Sequence, residues 1–445
     1  MDMGEINRYL DDRPDEQVFR VHGDAFTDES LLDLEFRHIF EKTWIFLGFE
    51  SMIGKPNDYL TTRIGRTPVL VARDAAGKVG AFVNACRHKG ATVARLSQGN
   101  SRYHVCPYHG WAYDSSGKNV DIKDRKSGCY AAAFDEDNHD LIPVAKVGIY
   151  KGMVFGSLSP AVAPLEEYLG DYRFFLDLIM DQGKDGMEVI PGRSIYTYRG
   201  NWKLQMENPL DSYHVDITHA SYIDAVRQRA AAAVKSEVNR IDYADRASGE
   251  GGIFDFPNGH SVFWRTIDRA DKRPIHPVMD EIRSRVGGVR ADWMIDLRNT
   301  AMFPNVLVLD TVVPHVRVVR PLTTQLTEVQ TYSLAPVGEA PHLRAWRMRQ
   351  LEDFLNPAGM ATPDDLDLFD TCQQGFAGAR AWLQGYERGM TAWESQPDRH
   401  AQAMGIRPAG TLRGNTQMGS EVGLRSYWRE WRRLMHAGLL SENGS

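Results

Sequence analysis

Cys86-Arg87-His88-Lys89-Gly90 and Cys106-Pro107-Tyr108-His109-Gly110-Trp111, with seventeen residues between His88 and Cys106, form the stretch that decides how this chain folds. Each loop offers one Cys and one His. Gly90, Gly110 and Pro107 suit two tight turns that clasp something between them. The flanking sequence has the texture of short strands. Residues 68–72 (Pro-Val-Leu-Val-Ala) and 79–83 (Val-Gly-Ala-Phe-Val) flank 74–78 (Asp-Ala-Ala-Gly-Lys), which predicts a hairpin. Ala112-Tyr113, a turn at 114–117 and the run 152–156 continue the pattern. From Trp44 to about residue 160 the expectation is a small antiparallel β domain.

A Cys2His2 zinc finger groups its two Cys together and its two His together. Here the types are mixed, one of each per loop. That arrangement suits a binuclear cluster in which one iron takes both thiolates and the other both imidazoles, the ligation of a Rieske [2Fe–2S] centre. The candidate ligands are Cys86, His88, Cys106 and His109. A zinc site, or Cys and His scattered without a metal, are the competing readings. Cys129 and Cys372 belong to no such pattern and are expected to be packing residues.

Upstream, residues 1–43 read as a lead-in with one helix over 28–42, where Leu32, Phe36, Ile39 and Phe40 share a face. Downstream, residues 160–168 read as a connector and 165–181 as a helix. Residues 161–445 form a larger second domain. Strands are expected at 195–198, 261–265, 306–309, 315–320 and 327–332, with 321–324 (Pro-Leu-Thr-Thr) as a hairpin turn. The order of helices and loops between His219 and about Gly249 cannot be read from the sequence. The fold class is therefore α+β: a small antiparallel β domain, then a catalytic domain with an antiparallel sheet flanked by helices.

The larger domain holds a second constellation, Glu207-Asn208-Pro209-Leu210-Asp211-Ser212-Tyr213-His214-Val215-Asp216-Ile217-Thr218-His219. Asn201 fits a helix cap ahead of it. Pro209 would kink that helix, or restart it with Asn208 as a fresh cap. Asp211 and His214 are three apart and share a face. His214 and His219 are five apart, which on a regular helix turns them roughly 140° from each other. If both bind one ion, the helix must break or carry a π-bulge between Val215 and Thr218. Two imidazoles and a carboxylate from elsewhere would form the facial triad of a non-haem Fe(II) oxygenase. The bland alternative is a helix with ordinary, partly buried histidines. For the carboxylate, residues 362–367 (Thr-Pro-Asp-Asp-Leu-Asp) open a helix with Thr362 as N-cap and Pro363 at N1. Asp364 and Asp365 in its first turn favour the helix dipole without any metal. Leu368, Phe369, Cys372, Phe376 and Leu383 extend the helix as a stripe.

Composition narrows the function classes. The 445 residues exceed one ordinary domain. A net charge of −7, with no basic block, argues against nucleic-acid and anionic-membrane partners. No apolar run reaches membrane-spanning length. The acidic start, Met1-Asp2-Met3-Gly4-Glu5, does not look like a signal peptide. Four cysteines in so long a chain are no disulfide framework, so the expected compartment is the cytoplasm.

Cys86-x-His88, seventeen residues, Cys106-x-x-His109, followed by Asp211-x-Tyr213-His214-x4-His219, resembles the catalytic (α) subunit of Rieske non-haem iron aromatic ring-hydroxylating oxygenases. The likeness runs over nearly the whole chain. It includes Phe303-Pro304-Asn305, expected on a strand, and the closing 425–431 helix. It is similar above all to the benzoate, anthranilate and halobenzoate branch, through 164–170 and 200–205. One departure is Asn208-Pro209-Leu210-Asp211, where those relatives carry Asn-Gly-Ala-Asp.

The resemblance implies a helix-grip, START-like catalytic domain. It implies that His214, His219 and Asp365 hold a mononuclear Fe(II), with Asp364 and Asp367 as fallbacks. It implies that Asp211 is not a ligand but joins His214 to the Rieske histidine His109 of a neighbouring subunit, in a homotrimer or an α3β3 assembly with a small β subunit. The two metals of one chain would then be too far apart for fast transfer. Asn208 would border the site, orienting substrate or the Asp211 bridge. Electrons would come from NADH through a reductase, with or without a ferredoxin. The implied reaction inserts O2 into an aromatic carboxylate to give a cis-dihydrodiol. The alternatives are a Rieske monooxygenase acting on an aryloxyacetate or aryl ether, by side-chain cleavage or O-demethylation, and a Rieske electron-transfer protein without oxygenase activity. Arg227 and Arg265 are candidates, by position only, for pairing a substrate carboxylate.

Overall fold

The structure, a computed structural model, describes residues 3–231, 249–267, 270–311, 313–379, 381–415 and 419–443. The chain divides into two compact units, Ile39–Leu165, and Met1–His38 together with Glu166–Ser445. The class is α+β, as expected.

The smaller unit is built from three antiparallel sheets. One has the strand order Val79–Val83, Thr67–Arg73, Asp58–Ile64, Gln98–Asn100. The expected hairpin is present, with Val71 opposite Ala81. A second sheet joins Tyr103–Val105, Ala112–Asp114 and Asn119–Asp121. The third joins Lys146–Tyr150, Met153–Ser157 and Ile45–Phe49. The core that carries the two loops packs Leu70, Ala72, Cys86, Cys106, Trp111 and Tyr113 together.

The larger unit is organised by a ten-stranded antiparallel sheet. Seven strands run in the spatial order Leu326–Pro336, His315–Thr323, Val306–Asp310, Leu297–Met302, Ser261–Arg265, Glu250–Asp255, Gly410–Asn415, and Ser194–Arg199 pairs with Leu326–Pro336. The strands at 250–255, 297–302 and 410–415 were not foreseen. The first and last carry paired glycines, and the middle one, Leu-Arg-Asn-Thr-Ala-Met, buries polar residues that break the usual alternation.

Several expectations are corrected. Strand His315–Thr323 continues through Pro321 with a register shift, so the turn lies at Thr324-Gln325 rather than at 321–324. Phe303-Pro304-Asn305 is the turn between two strands, not part of a strand. The lead-in is more than one helix. Leu10–Arg13 and Val18–His22 form a hairpin that pairs with Trp382–Gly385. Asp28 caps helix Glu29–Glu35, and Phe36–Phe40 continue as a π turn, which explains why Leu31, Leu34 and His38 are buried beside the expected stripe. Cys129 and Cys372 are exposed rather than packed, as is Leu368. Leu383 lies on a strand beyond the helix that ends at Ala379. Residues 232–248, in the segment whose order the sequence left open, lie outside the described residues. No helix among the described residues is long and apolar enough to cross a membrane.

The floor of the larger unit is held by a buried ion pair. Lys203 Nζ lies 2.6 Å from Glu35 Oε1, and the indoles of Trp202 and Trp431 donate to the same carboxylate. Removing one partner of such a pair would leave a charge stranded in the core, at a cost of about 3–5 kcal/mol. This fixes helix Trp202–Glu207, which leads into the 207–219 constellation.

Candidate functional site

In the smaller unit the two loops share one design. The amide of Cys86 donates to Ala91 O and the amide of Gly90 to Cys86 O. Likewise the amide of Cys106 donates to Trp111 O and that of Gly110 to Cys106 O. Gly90 and Gly110 adopt φ of 77° and 76°, which a side chain would strain. Cys86 and Cys106 are buried, while His88 stands exposed and His109 half-buried. The His88 and His109 rings are 4.5 Å apart, and Trp111 stacks on His88 at 5.0 Å and 8°. His109 Nδ1 is buried with no hydrogen-bond partner among the described residues. Two free thiols inside and two imidazoles outside, one nitrogen of them orphaned, are a donor set that fits a [2Fe–2S] group with unlike ends. Tyr113 Oη accepts from the amide of Arg87 at 3.0 Å and lies 3.2 Å from Cys86 Sγ. A thiolate at Cys86 would have no hydrogen to give, so in that state the hydroxyl is the donor to the sulfur.

In the larger unit, Asn201 caps helix Trp202–Glu207, its Oδ1 accepting from the amide of Lys203. The amide of Asn201 donates to Gln373 Oε1, on helix Thr362–Ala379. That bond registers the two segments of the site against each other. Asn208–Leu210 form a 3-10 turn, and Asn208 is not a fresh N-cap but the C-cap of helix Trp202–Glu207. Its Nδ2 lies 3.3 Å from His214 Nε2 and 3.1 Å from Asp365 Oδ1.

The geometry of the two histidines is resolved by a break, not a π-bulge. Val215–Thr218 is a single helical turn with His214 before it and His219, at φ −103° and ψ 24°, after it. A new helix, Ala220–Ala231, starts beyond. Both rings can then face one point, with centroids 5.4 Å apart. His214, His219 and Asp365 each bring one donor atom within 4.8 Å of the others. His219 Nε2 lies 3.4 Å, and His214 Nε2 3.7 Å, from Asp365 Oδ1.

Each imidazole is held from behind by a carboxylate. Asp211 Oδ2 is 3.0 Å from His214 Nδ1, and Asp364 Oδ2 is 3.4 Å from His219 Nδ1. A proton on each Nδ1 leaves both Nε2 lone pairs aimed inward, where the Asn208 amide meets one of them together with the Asp365 carboxylate. Burial raises the pKa of Asp365, opposed by His219, His214 and Arg317. Burial lowers that of His219, opposed mainly by Asp365. A neutral imidazole is the form that takes a metal. The residues fit a two-histidine, one-carboxylate cation site with open positions.

Asp364 therefore stands behind His219 rather than at the centre, and Asp367 is exposed. Thr362 is the first helical residue, not the cap, because Ala361 O accepts from the amides of Asp364 and Asp365. Thr362 Oγ1 donates to Leu355 O instead.

The three donors open onto a pocket whose wall is the sheet: Phe263, Leu297 and Leu309 are apolar, and Asn299 and Thr311 polar. Pro209 and Phe354 also line it. Arg265 lines this pocket, whereas Arg227 is exposed on its helix and is not part of the lining. The sequence reading missed Arg317, which also lines it and is 2% exposed. No local signal marks it: alternation would set Arg317 on the face opposite Val316 and Val318, and only the burial of both faces of His315–Val319 brings it inside.

A family model described as ring hydroxylating alpha subunit (catalytic domain) matches residues 166–437, and one described as Rieske [2Fe-2S] domain matches residues 43–137. The chain is 40% identical to toluate 1,2-dioxygenase subunit alpha of Pseudomonas putida, over 97% of each chain. It is 39% identical to the anthranilate 1,2-dioxygenase large subunit of Acinetobacter baylyi, over 97% of this chain and 92% of that one. A crystal structure of naphthalene 1,2-dioxygenase superposes with a TM-score of 0.82 at 24% identity, covering 99% of this chain and 97% of the other, which shows a shared fold.

Proposed function

Because this chain belongs to the ring-hydroxylating alpha-subunit family, with a Rieske [2Fe-2S] domain ahead of its catalytic domain, we propose that it is the large component of a 1,2-dioxygenase acting on an aromatic carboxylate. The observation that carries this reading is the convergence of His214, His219 and Asp365 at the edge of a largely apolar pocket. Identity near 40% to dioxygenases named for toluate and anthranilate supports the carboxylate class.

In this reading Cys86, Cys106, His88 and His109 hold the cluster, and His214, His219 and Asp365 hold one Fe(II). When bound, the two groups supply stored electrons and a site for dioxygen. The chain's own residues do the rest. Asp211 and Asp364 fix the imidazole tautomers. Asp211 also receives the electron path from His109 of a neighbouring subunit. Asn208 orients what enters between His214 and Asp365. Phe263, Leu297, Leu309 and Phe354 keep water from the ring being oxidised. A small β subunit, a trimeric assembly and a reductase drawing on NADH complete the system.

The test is turnover of a panel of aromatic acids with labelled dioxygen, NADH and a reductase. The expected product is a cis-dihydrodiol carrying both labelled atoms, with one NADH and one proton consumed per O2. A product with a single labelled atom, the other appearing in water, would make the enzyme a monooxygenase.

A further inference from the structure

We propose that Arg317 is the specificity-determining residue of this pocket: its guanidinium receives the substrate carboxylate and sets the carboxyl-bearing ring carbon beside the metal. The inference rests on the aromatic-carboxylate reading above and names the group that enforces it.

Arg317 is 2% exposed, so its charge is cut off from solvent. Arg273, Arg298 and Arg347, buried in the same unit, have carboxylate partners. Arg273 and Arg298 share Asp310 in a fully buried triad, and Arg347 pairs with Glu339 at 2.6 Å. Arg317 makes no ion pair among the described residues. Its Nη2 donates to Leu355 O at 2.9 Å and to Thr362 Oγ1 at 3.2 Å, both neutral acceptors. Its Nε is buried without a partner. An unpaired buried guanidinium is costly unless an anion arrives to meet it. The Asp365 carboxylate is near enough to interact with it, but that oxygen converges with His214 and His219 and is committed to the metal.

Position then decides regiochemistry. Thr362 opens the helix whose first turn holds Asp365, so the bond to Thr362 fastens Arg317 to the metal end of the pocket. Arg265 sits elsewhere. Arg317 lies opposite Leu307, Leu307 opposite Ala301, and Ala301 opposite Ser261. Arg265 is four residues along from Ser261, roughly 13 Å, and its strand is three strand spacings away, roughly 14 Å. The two arginines occupy diagonal corners of the sheet wall. A carboxylate on Arg317 brings the carbon that bears it, and the next ring carbon, toward the metal. A carboxylate on Arg265 would present the far edge of the ring instead.

The test uses the assembled, metal-loaded enzyme with benzoate and the uncharged benzamide as probes, and compares Arg317→Gln, Arg317→Lys and Arg265→Gln. Loss of a charge-assisted pair should weaken benzoate binding by about 30-fold in Arg317→Gln while leaving benzamide nearly unchanged. Arg317→Lys should recover part of the loss, and Arg265→Gln should weaken benzoate relative to benzamide less than Arg317→Gln does. Metal content is measured on each variant, and the lysine variant keeps the charge should the glutamine variant fold poorly. If Arg317→Gln weakens both probes equally, or if the benzoate loss appears in Arg265→Gln instead, the assignment is wrong. An unsubstituted enzyme that oxidises only neutral arenes would overturn the substrate class, and the carboxylate anchor with it.

Discussion

The two proposed metal centres are assembled in opposite ways. In the smaller unit all four donors lie within twenty-four positions, on two loops that repeat one hydrogen-bonding pattern around Gly90 and Gly110. In the larger unit two donors are five apart, and the third, Asp365, comes from a helix 146 positions beyond His219. The first site is written into local turn chemistry. The second exists only after a helix has broken at His219 and the Gln373–Asn201 bond has registered two distant segments. A centre made of rigid turns suits a group that stores charge without rearranging. A centre gathered across the fold leaves room for a pocket beside it.

This contrast predicts that damage to one centre should spare the other. The largest effect is expected for Asp365→Ala. Turnover should fall by more than about three orders of magnitude as the mononuclear iron is lost, with the cluster spectrum unchanged. Loss of the cluster as well would break the contrast. Asp211→Asn should follow, with NADH-driven turnover lower by on the order of 100-fold while both metals remain. Iron loss comparable to that of Asp365→Ala would make Asp211 a ligand. Asp364→Ala, which removes the support behind His219, should weaken iron binding roughly 10-fold, read as iron retained after dialysis against a chelator. The smallest effect belongs to the other centre. Tyr113→Phe removes a hydrogen bond to Cys86 Sγ worth about 1.5 kcal/mol, so the cluster potential should drop by roughly 60 mV in a redox titration. An unchanged potential would mean that the hydroxyl does not point at the sulfur.

The same contrast explains what could be read from the sequence. The hairpin around the two loops was legible, and the four proposed loop donors could be named, because their geometry depends on neighbours in the chain. His214 and His219 were legible as a pair, and helical spacing demanded either a break or a π-bulge between them, of which the structure takes the break. Asp365 was not separable from Asp364 by local rules, since both sit in a helix first turn. Only tertiary packing turns one inward and sets the other behind His219. The strand at 297–302 was missed because Arg298 and Asn299 obscure its alternation; Arg298 is buried on Asp310, and Asn299 bonds to Pro209 O and Thr311 Oγ1. Arg317 was passed over for Arg265 and Arg227 because sequence position says nothing about which arginines reach the pocket.

The most direct test of the account is the metal inventory of the purified protein and of its Asp365→Ala variant. About three iron and two acid-labile sulfide ions per chain are expected in the former, and about two of each in the latter. Zinc in place of iron at the Cys86–His109 loops, or loss of sulfide in step with iron in the variant, would contradict it.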